Sequence, residues 1–278
     1  LFFQGKDDPL FDKYQQEIER LLGIVHLETD GENIPQTKLE IQQATVKAID
    51  VGKEWIGTDE SGKGDYFGPL VSAAVYVDHR IAKLLNDIGV RDSKKLSDKR
   101  VNDLAPQIEK ICGKRCTHVI VNPEKYNELY KQFQSEGKNL NSLLAWTHVR
   151  ALENILPNFQ LATPLTVIVD KFADENYIQS RLKVERLIKA GQEVDLRLVQ
   201  LPKAEANVAV AAASIVARFY FLQQLENLSQ TYNIDLPKGA SDPNIVKHGK
   251  TIIERHGFSE LSKVAKLHFR TTGRIQNG

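Results

Sequence analysis

Gly57-Thr58-Asp59-Glu60-Ser61-Gly62-Lys63-Gly64-Asp65-Tyr66-Phe67-Gly68-Pro69-Leu70 is the stretch around which the chain is organised. Apolar Trp55 and Ile56 run straight into two adjacent acids. A glycine-rich loop with one lysine follows, and Leu70 to Val77 is apolar again. The pattern predicts a strand, a polar turn and a second strand. Acids at a strand end beside glycines suggest a place where backbone comes close to a ligand.

Three readings of this stretch compete. Gly57-x-x-x-x-Gly62-Lys63 satisfies most of a phosphate-binding P-loop, but Gly64 stands where a Ser or Thr should hold magnesium. Asp59 and Glu60 inside such a loop would also repel phosphate. A second reading is a hairpin turn with solvated acids. The third is a metal site: neighbouring carboxylates, joined by others from elsewhere, make a hard oxygen cage suited to Mg²⁺ or Mn²⁺. The glycines would then let a nucleic-acid backbone lie against the protein, with Lys63 as a point charge on a phosphate. That reading requires further acids at the ends of other core elements.

Working outward, 278 residues allow one large domain, or one domain with a small companion. Hydrophobic residues make up 41%, enough for a sizeable core, and the net charge of +1 leaves any basic face to be local. Cys112 and Cys116 are four apart without a His or Cys cluster, which argues against zinc and for reduced thiols in a cytoplasmic protein. No apolar run approaches the roughly 18 residues of a membrane span, and no signal peptide is visible. Leu1 to Gly5 reads as the remnant of a cleavable tag, and the chain contains no methionine.

Asp8 to Gly23 reads as an amphipathic helix, residues 24–37 as a polar loop, and Lys38 to Val51 as ambiguous. Trp55 to Thr58 and Leu70 to Val77 are strands, and Ile81 to Ile88 a short helix. Ser97 caps a helix up to Ile111 that Pro106 should weaken or kink. Arg115 to Val121 is a third strand, with a helix near Glu124 to Phe133 after it. Leu140 to Leu156 is a helix whose apolar stripe runs through Leu143, Leu144, Val149 and Leu152; its His148 reads as an ordinary helix histidine. Leu165 to Asp170 is a buried strand parallel to the first, ending on an acid as the first does. Two strands carrying acids at the same end favour the metal reading. Tyr177 to Ala190 is a charged helix and Val194 to Leu201 a fifth strand. A long Ala-rich helix, Ala206 to Leu225, is opened by Pro202-Lys203-Ala204-Glu205, with Glu205 in its first turn as a fourth metal-facing acid. Two short helices follow in the tail, where Lys263, Lys266, His268, Arg270 and Arg274 form either a solvated face or a phosphate-tracking patch.

The first motif resembles that of type 2 ribonucleases H, and specifically bacterial ribonuclease HIII. Asp92-Ser93-Lys94-Lys95-Leu96-Ser97 and Lys203-Ala204-Glu205 with Val210 to Ile215 are similar to two further family motifs. Leu236 to Ala240 and Val264 to Phe269 resemble the HIII branch rather than HII. The resemblance covers residues 53–274. It implies an RNase H-like fold, α/β, with a five-stranded mixed sheet flanked by helices. It implies endonucleolytic cleavage of the RNA strand of RNA–DNA hybrids, leaving 5′-phosphate and 3′-hydroxyl ends, with Asp59, Glu60, Asp170 and Glu205 holding two Mg²⁺ or Mn²⁺ ions. Gly62, Lys63 and Gly64 fall where relatives contact the ribonucleotide 2′-hydroxyl, and Ser93 and Lys94 are candidate phosphate contacts. Ribonucleases HIII usually carry an N-terminal substrate-binding domain folded like half a TATA-binding protein. With about fifty residues before the first motif, residues 1–52 are expected to be a truncated or divergent version, and 53–278 the catalytic domain. The expected partner is the hybrid, with no membrane and a monomeric chain. A non-catalytic hybrid-binding module is the alternative.

Overall fold

The computed structural model describes residues 51–156, 159, 165–170, 196–201 and 203–277. The expectations for residues 1–50, for the helix over 177–190 and for the start of the fifth strand at 194–195 lie outside the described residues.

Five strands form one mixed sheet in the order β3-β2-β1-β4-β5. They are β1 (Glu54–Ser61), β2 (Leu70–Asp78), β3 (Cys116–Val121), β4 (Leu165–Asp170) and β5 (Leu196–Leu201). β1 pairs antiparallel with β2 over its whole length and parallel with β4, where Thr58 lies opposite Val169. β1 is longer than expected: its pairing with β2 continues through Asp59↔Ala73, Glu60↔Ser72 and Ser61↔Val71. The two acids therefore lie within the strand and not in the turn beyond it.

Eight helices are described: α1 (His79–Asp87), α2 (Asp98–Cys112), α3 (Pro123–Ser135), α4 (Leu140–Ile155), α5 (Val208–Tyr232), α6 (Asn244–His256), α7 (Phe258–Val264) and α8 (Arg270–Gln276). Side chains alternate across a strand, and the sheet sorts them accordingly. Trp55, Val71, Ala73, Val75, Val77 and Ile168 pack with α1, α2 and α5 on one face. Ile56, Ala74, Tyr76, Leu165, Val167 and Val169 pack with α4 on the other.

The helix expected from Ser97 to Ile111 forms as α2 and runs through Pro106: Asn102 and Pro106 both lie on the solvent face, where water can satisfy the carbonyl that loses its partner. Two expectations are corrected. The tail has three helices, the last two of seven residues each. Finally, α5 is long and apolar enough to cross a membrane by composition alone, yet 67% of its most apolar window is buried in the protein. It is the core helix of this fold. Cys112 is buried and Cys116 half-buried, both as free thiols, and burial pushes the Cys112 thiol up to about 12.

α5 reaches the sheet because Gly57 has no side chain. A Cβ there would lie 2.2 Å from the backbone N of Val210 and 2.3 Å from the carbonyl carbon of Ala209. Gly57→Ala must therefore push α5 off β1. The expected cost is about 1–3 kcal/mol or more, measured by denaturant unfolding, with the metal-binding and cleavage properties described below falling in step.

Candidate active site

Alternation decides how the acids are placed. Asp59 shares a sheet face with Trp55 and Gly57, toward α5, whereas Glu60 shares the other with Ile56 and Thr58, toward α4. Asp170 follows Ile168 on the α5 face, and it comes directly after Val169, which pairs with Thr58. Asp59 and Asp170 thus stand side by side on one face at the carboxyl ends of two parallel strands. Glu60 reaches the same cleft from the other face. Asp59, Glu60 and Asp170 line this cleft of about 250 Å³ with Gly62, Lys63, Gly64, Ser93, Lys94, Ser214 and Arg218.

Each carboxylate has its own partners. Asp59 accepts the backbone N–H of Glu60 at 2.9 Å and a bond from the Ser214 hydroxyl. Burial, with the charge of Glu60 beside it, nevertheless holds the Asp59 carboxyl well above the usual carboxylate range. Burial works against ionising Glu60 too, but hydrogen bonding to His148 and its charge, then Lys63 and Lys94, outweigh it, and Glu60 titrates below its ordinary value. Asp170 accepts the backbone N–H of Lys203 at 3.0 Å. Glu205, buried, receives the Lys94 ammonium at 2.7 Å. Lys94 pays for some desolvation, but its bond to Glu205 and the charges of Glu205, Asp59 and Asp170 raise it above the usual lysine range.

Glu205 is not in the first turn of the long helix. It sits in a separate 3₁₀ turn, Ala204–Ala206, and α5 begins only after Asn207. Lys203 is left-handed at φ 58°. The Asn207 side chain accepts both the Ala209 N–H that it caps and the Trp55 indole N–H at 3.0 Å. That double bond-acceptor ties the Glu205 turn to β1.

The glycine turn is held from behind. Gly62 adopts φ 90°, and a Cβ on it would lie 2.1 Å from the Pro69 carbonyl oxygen. Tyr66 N–H donates to Gly239, Gly68 N–H to Val264, and Lys266 N–H to Tyr66. The Lys266 ammonium, fully buried, donates to the carbonyls of Asp65 at 2.8 Å and Gly68 at 2.6 Å. Burial depresses it to about 7. Lys266 is therefore a clamp inside the protein and no part of a phosphate-tracking surface; among the other residues of that patch, Lys263 pairs with Glu260 and His268 packs at a tilt against Tyr130. Ser93 also faces inward. Its hydroxyl bonds Ser214 at 2.7 Å, and its carbonyl accepts from Arg218. Lys63 lies 3.8 Å from Glu60. Because the turn leads into antiparallel β2 rather than a helix, the P-loop reading is excluded.

Sequence reasoning took His148 for a satisfied or exposed helix histidine and did not single out Ser214 or Arg218 as site residues. His148 is 2% exposed, with Nδ1 2.9 Å from the Thr58 hydroxyl and Nε2 3.0 Å from Glu60 Oε2. The signal was its spacing: it lies four residues from both Leu144 and Leu152, on the buried stripe. Ser214 is the one polar residue in Ala209 to Ala217.

Among the described residues no three His, Cys, Asp or Glu side chains converge as a ready-made ligand cluster. The carboxylates are instead held by Lys94, His148 and the Lys203 N–H. The donor set nonetheless fits a hard divalent cation. All its donors are carboxylate oxygens, Asp59 resists ionising without a compensating charge, and Glu205 Oε2 is buried with no hydrogen-bond partner.

This sheet order, with acids at the ends of the two central parallel strands and a long helix against them, defines an RNase H-like nuclease fold. The family model for ribonuclease HII matches residues 56–272. Ribonuclease HIII of Protochlamydia amoebophila is 40% identical over 276 residues, covering 99% of this chain and 80% of that one. Ribonuclease HIII of Chlamydia pneumoniae is 43% identical over 226 residues, covering 80% and 70%. The crystal structure of Bst-RNase HIII in complex with Mn²⁺ superimposes with a TM-score of 0.72 at 31% identity, covering 95% of this chain and 80% of that one. The chain belongs to the type 2 ribonuclease H family, in its ribonuclease HIII branch, and is a ribonuclease H.

The raised Asp59 carboxyl carries a signed prediction. Its stabilising contribution is whole below the ordinary aspartate pKa and is lost as pH rises through the higher folded value. At neutral pH in metal-free buffer, Asp59→Asn should therefore stabilise the fold. Each kcal/mol regained would raise Tm by about 2–4 °C, read by thermal melting. Wild-type affinity for Mn²⁺ should rise with pH over the range where Asp59 gives up its proton.

Proposed function

We propose that this chain hydrolyses the RNA strand of RNA–DNA hybrids internally, leaving 5′-phosphate and 3′-hydroxyl ends, with residues 53–278 as the catalytic domain and 1–52 as a separate N-terminal segment. The observation that carries the reading is the placement of Asp59 and Asp170 side by side at the carboxyl ends of parallel β1 and β4, in a family whose members include a Mn²⁺ complex. Asp59, Glu60, Asp170 and Glu205 would hold the divalent ions, two Mg²⁺ or Mn²⁺ per site, which supply Lewis-acid activation of the attacking water and stabilise the leaving 3′-oxygen.

The chain's own groups do the rest. Gly62 and Gly64 expose backbone to the sugar edge, where a 2′-hydroxyl distinguishes RNA from DNA. Lys63 stands at the rim as a point charge for phosphate. Lys94, 71% exposed along its side chain, neutralises Glu205. Once that charge is compensated otherwise, its ammonium is released toward a phosphate. A groove of about 580 Å³ beside Glu205, lined by Arg91, Lys94, Lys95 and Lys203, continues the positive surface along which a nucleic-acid backbone can run. Ser93 acts through Ser214 on Asp59 and leaves phosphate contact to its neighbour Lys94.

The test is a labelled RNA–DNA hybrid incubated with Mg²⁺, Mn²⁺ or EDTA, beside Asp170→Asn. Internal cuts in the RNA strand are expected with either metal and none with EDTA. The variant should lose more than about 100-fold in rate, the upper end of what perturbed metal sites lose. End-labelling and ligation of the products read the termini. Wild-type protein that binds the hybrid and never cuts it would instead be a hybrid-binding module.

A further inference from the structure

Glu60 differs from the other three acids in its surroundings. Asp59 and Asp170 are on the α5 face of the sheet, and Glu205 is in the turn leading to α5. Glu60 starts on the α4 face and reaches the cleft from there. Glutamate has three freely rotating side-chain bonds, so an unrestrained carboxylate there loses conformational entropy when it engages a ligand.

A buried residue restrains it. His148 lies in the middle of α4, buried, in line with Leu144 and Leu152. A leucine at that position would pack against Ile56 and its neighbours without needing polar partners. The imidazole instead meets two groups from the same face of β1, two residues apart. Thr58 Oγ1 holds Nδ1 at 2.9 Å, and Nε2–H donates to Glu60 Oε2 at 3.0 Å. The ring cannot rotate without losing both bonds. Thr58 is itself 1% exposed and inside the sheet, so the support is rigid. With Oε2 engaged by His148, Oε1 is the oxygen directed toward Lys63 and the cleft.

We propose that His148 is a positioning residue: braced by Thr58, it fixes the Glu60 carboxylate so that its other oxygen is presented to a divalent cation. This rests on the metal-site reading above. His148 touches neither cation nor substrate. Its contribution is to remove the ordering cost from Glu60, as hydrogen-bonding partners of metal ligands do elsewhere.

The experiment measures Mn²⁺ binding to the substrate-free protein by titration calorimetry. The variants are His148→Ala, Glu60→Gln, the double variant and Asp170→Asn, with a thermal melt of each. His148→Ala should weaken Mn²⁺ binding by about 10-fold or more. The Mn²⁺ concentration for half-maximal cleavage should rise by the same factor, with kcat largely restored at saturating metal. In the Glu60→Gln background the same change should have no further effect. His148→Gln, whose amide N–H can still reach Glu60, should fall between. If His148→Ala does not fold, His148→Leu refills the volume, lacks the bond and is expected to show the same loss. A folded His148→Ala or His148→Leu that binds Mn²⁺ like wild type overturns the proposal. So does an equal loss in the Glu60→Gln background, or a fall in kcat at saturating metal with Mn²⁺ affinity unchanged. Asp170→Asn separates the two readings. If it binds Mn²⁺ like wild type, the metal site itself is wrong and this inference goes with it; if it alone weakens binding, only His148 has been misassigned.

Discussion

The approach of α5 to β1 at Gly57 is the contact on which the rest of the site depends. Helix backbone lies against strand backbone there, closer than any side chain would allow. That distance lets Ser214 reach Asp59 from the helix and lets Asn207, just before the helix, receive the Trp55 indole. The 3₁₀ turn carrying Glu205 is thereby placed over the end of the sheet. The run of alanines following Asn207 answers the same constraint: bulkier side chains on that face would hold helix and sheet apart.

Gathering carboxylates at one sheet end is electrostatically unfavourable, and the structure shows how the repulsion is distributed. Glu205 is neutralised by a lysine from the Ser93–Lys95 turn, Glu60 is held by a histidine, and Asp170 is capped by a main-chain N–H. Asp59, desolvated by burial and set beside Glu60, is left with a carboxyl that resists ionising. A cation beside it would supply the opposite charge that favours its ionised form.

Much of this was legible in the sequence. The run from Leu165 to Asp170 could only be a buried strand, and its closing acid matched the one after Thr58. The placement of Glu60 on the opposite face was legible too, since neighbours in a strand alternate, but it required knowing that β1 extends past Thr58. That extension depends on pairing with β2, a tertiary fact that hydrophobic pattern does not report. Lys266 misled because charge runs are counted along the chain, whereas burial is decided by what folds over them. His148 was read as a satisfied or exposed helix histidine; it is buried and bonded through both ring nitrogens, and its spacing among leucines could have decided between the two.

The clamp on the glycine turn joins parts of the chain about 200 residues apart: the Lys266 ammonium grips carbonyls at Asp65 and Gly68, and the Ala265 backbone bridges to Phe67. Closing so long a loop is entropically slow. A polypeptide emerging from the ribosome acquires its first acids early, but the turn beside them takes its shape only when the last helices arrive. The geometry of the glycine turn is therefore tied to the completion of the fold, because the groups that hold it come from the far end of the chain.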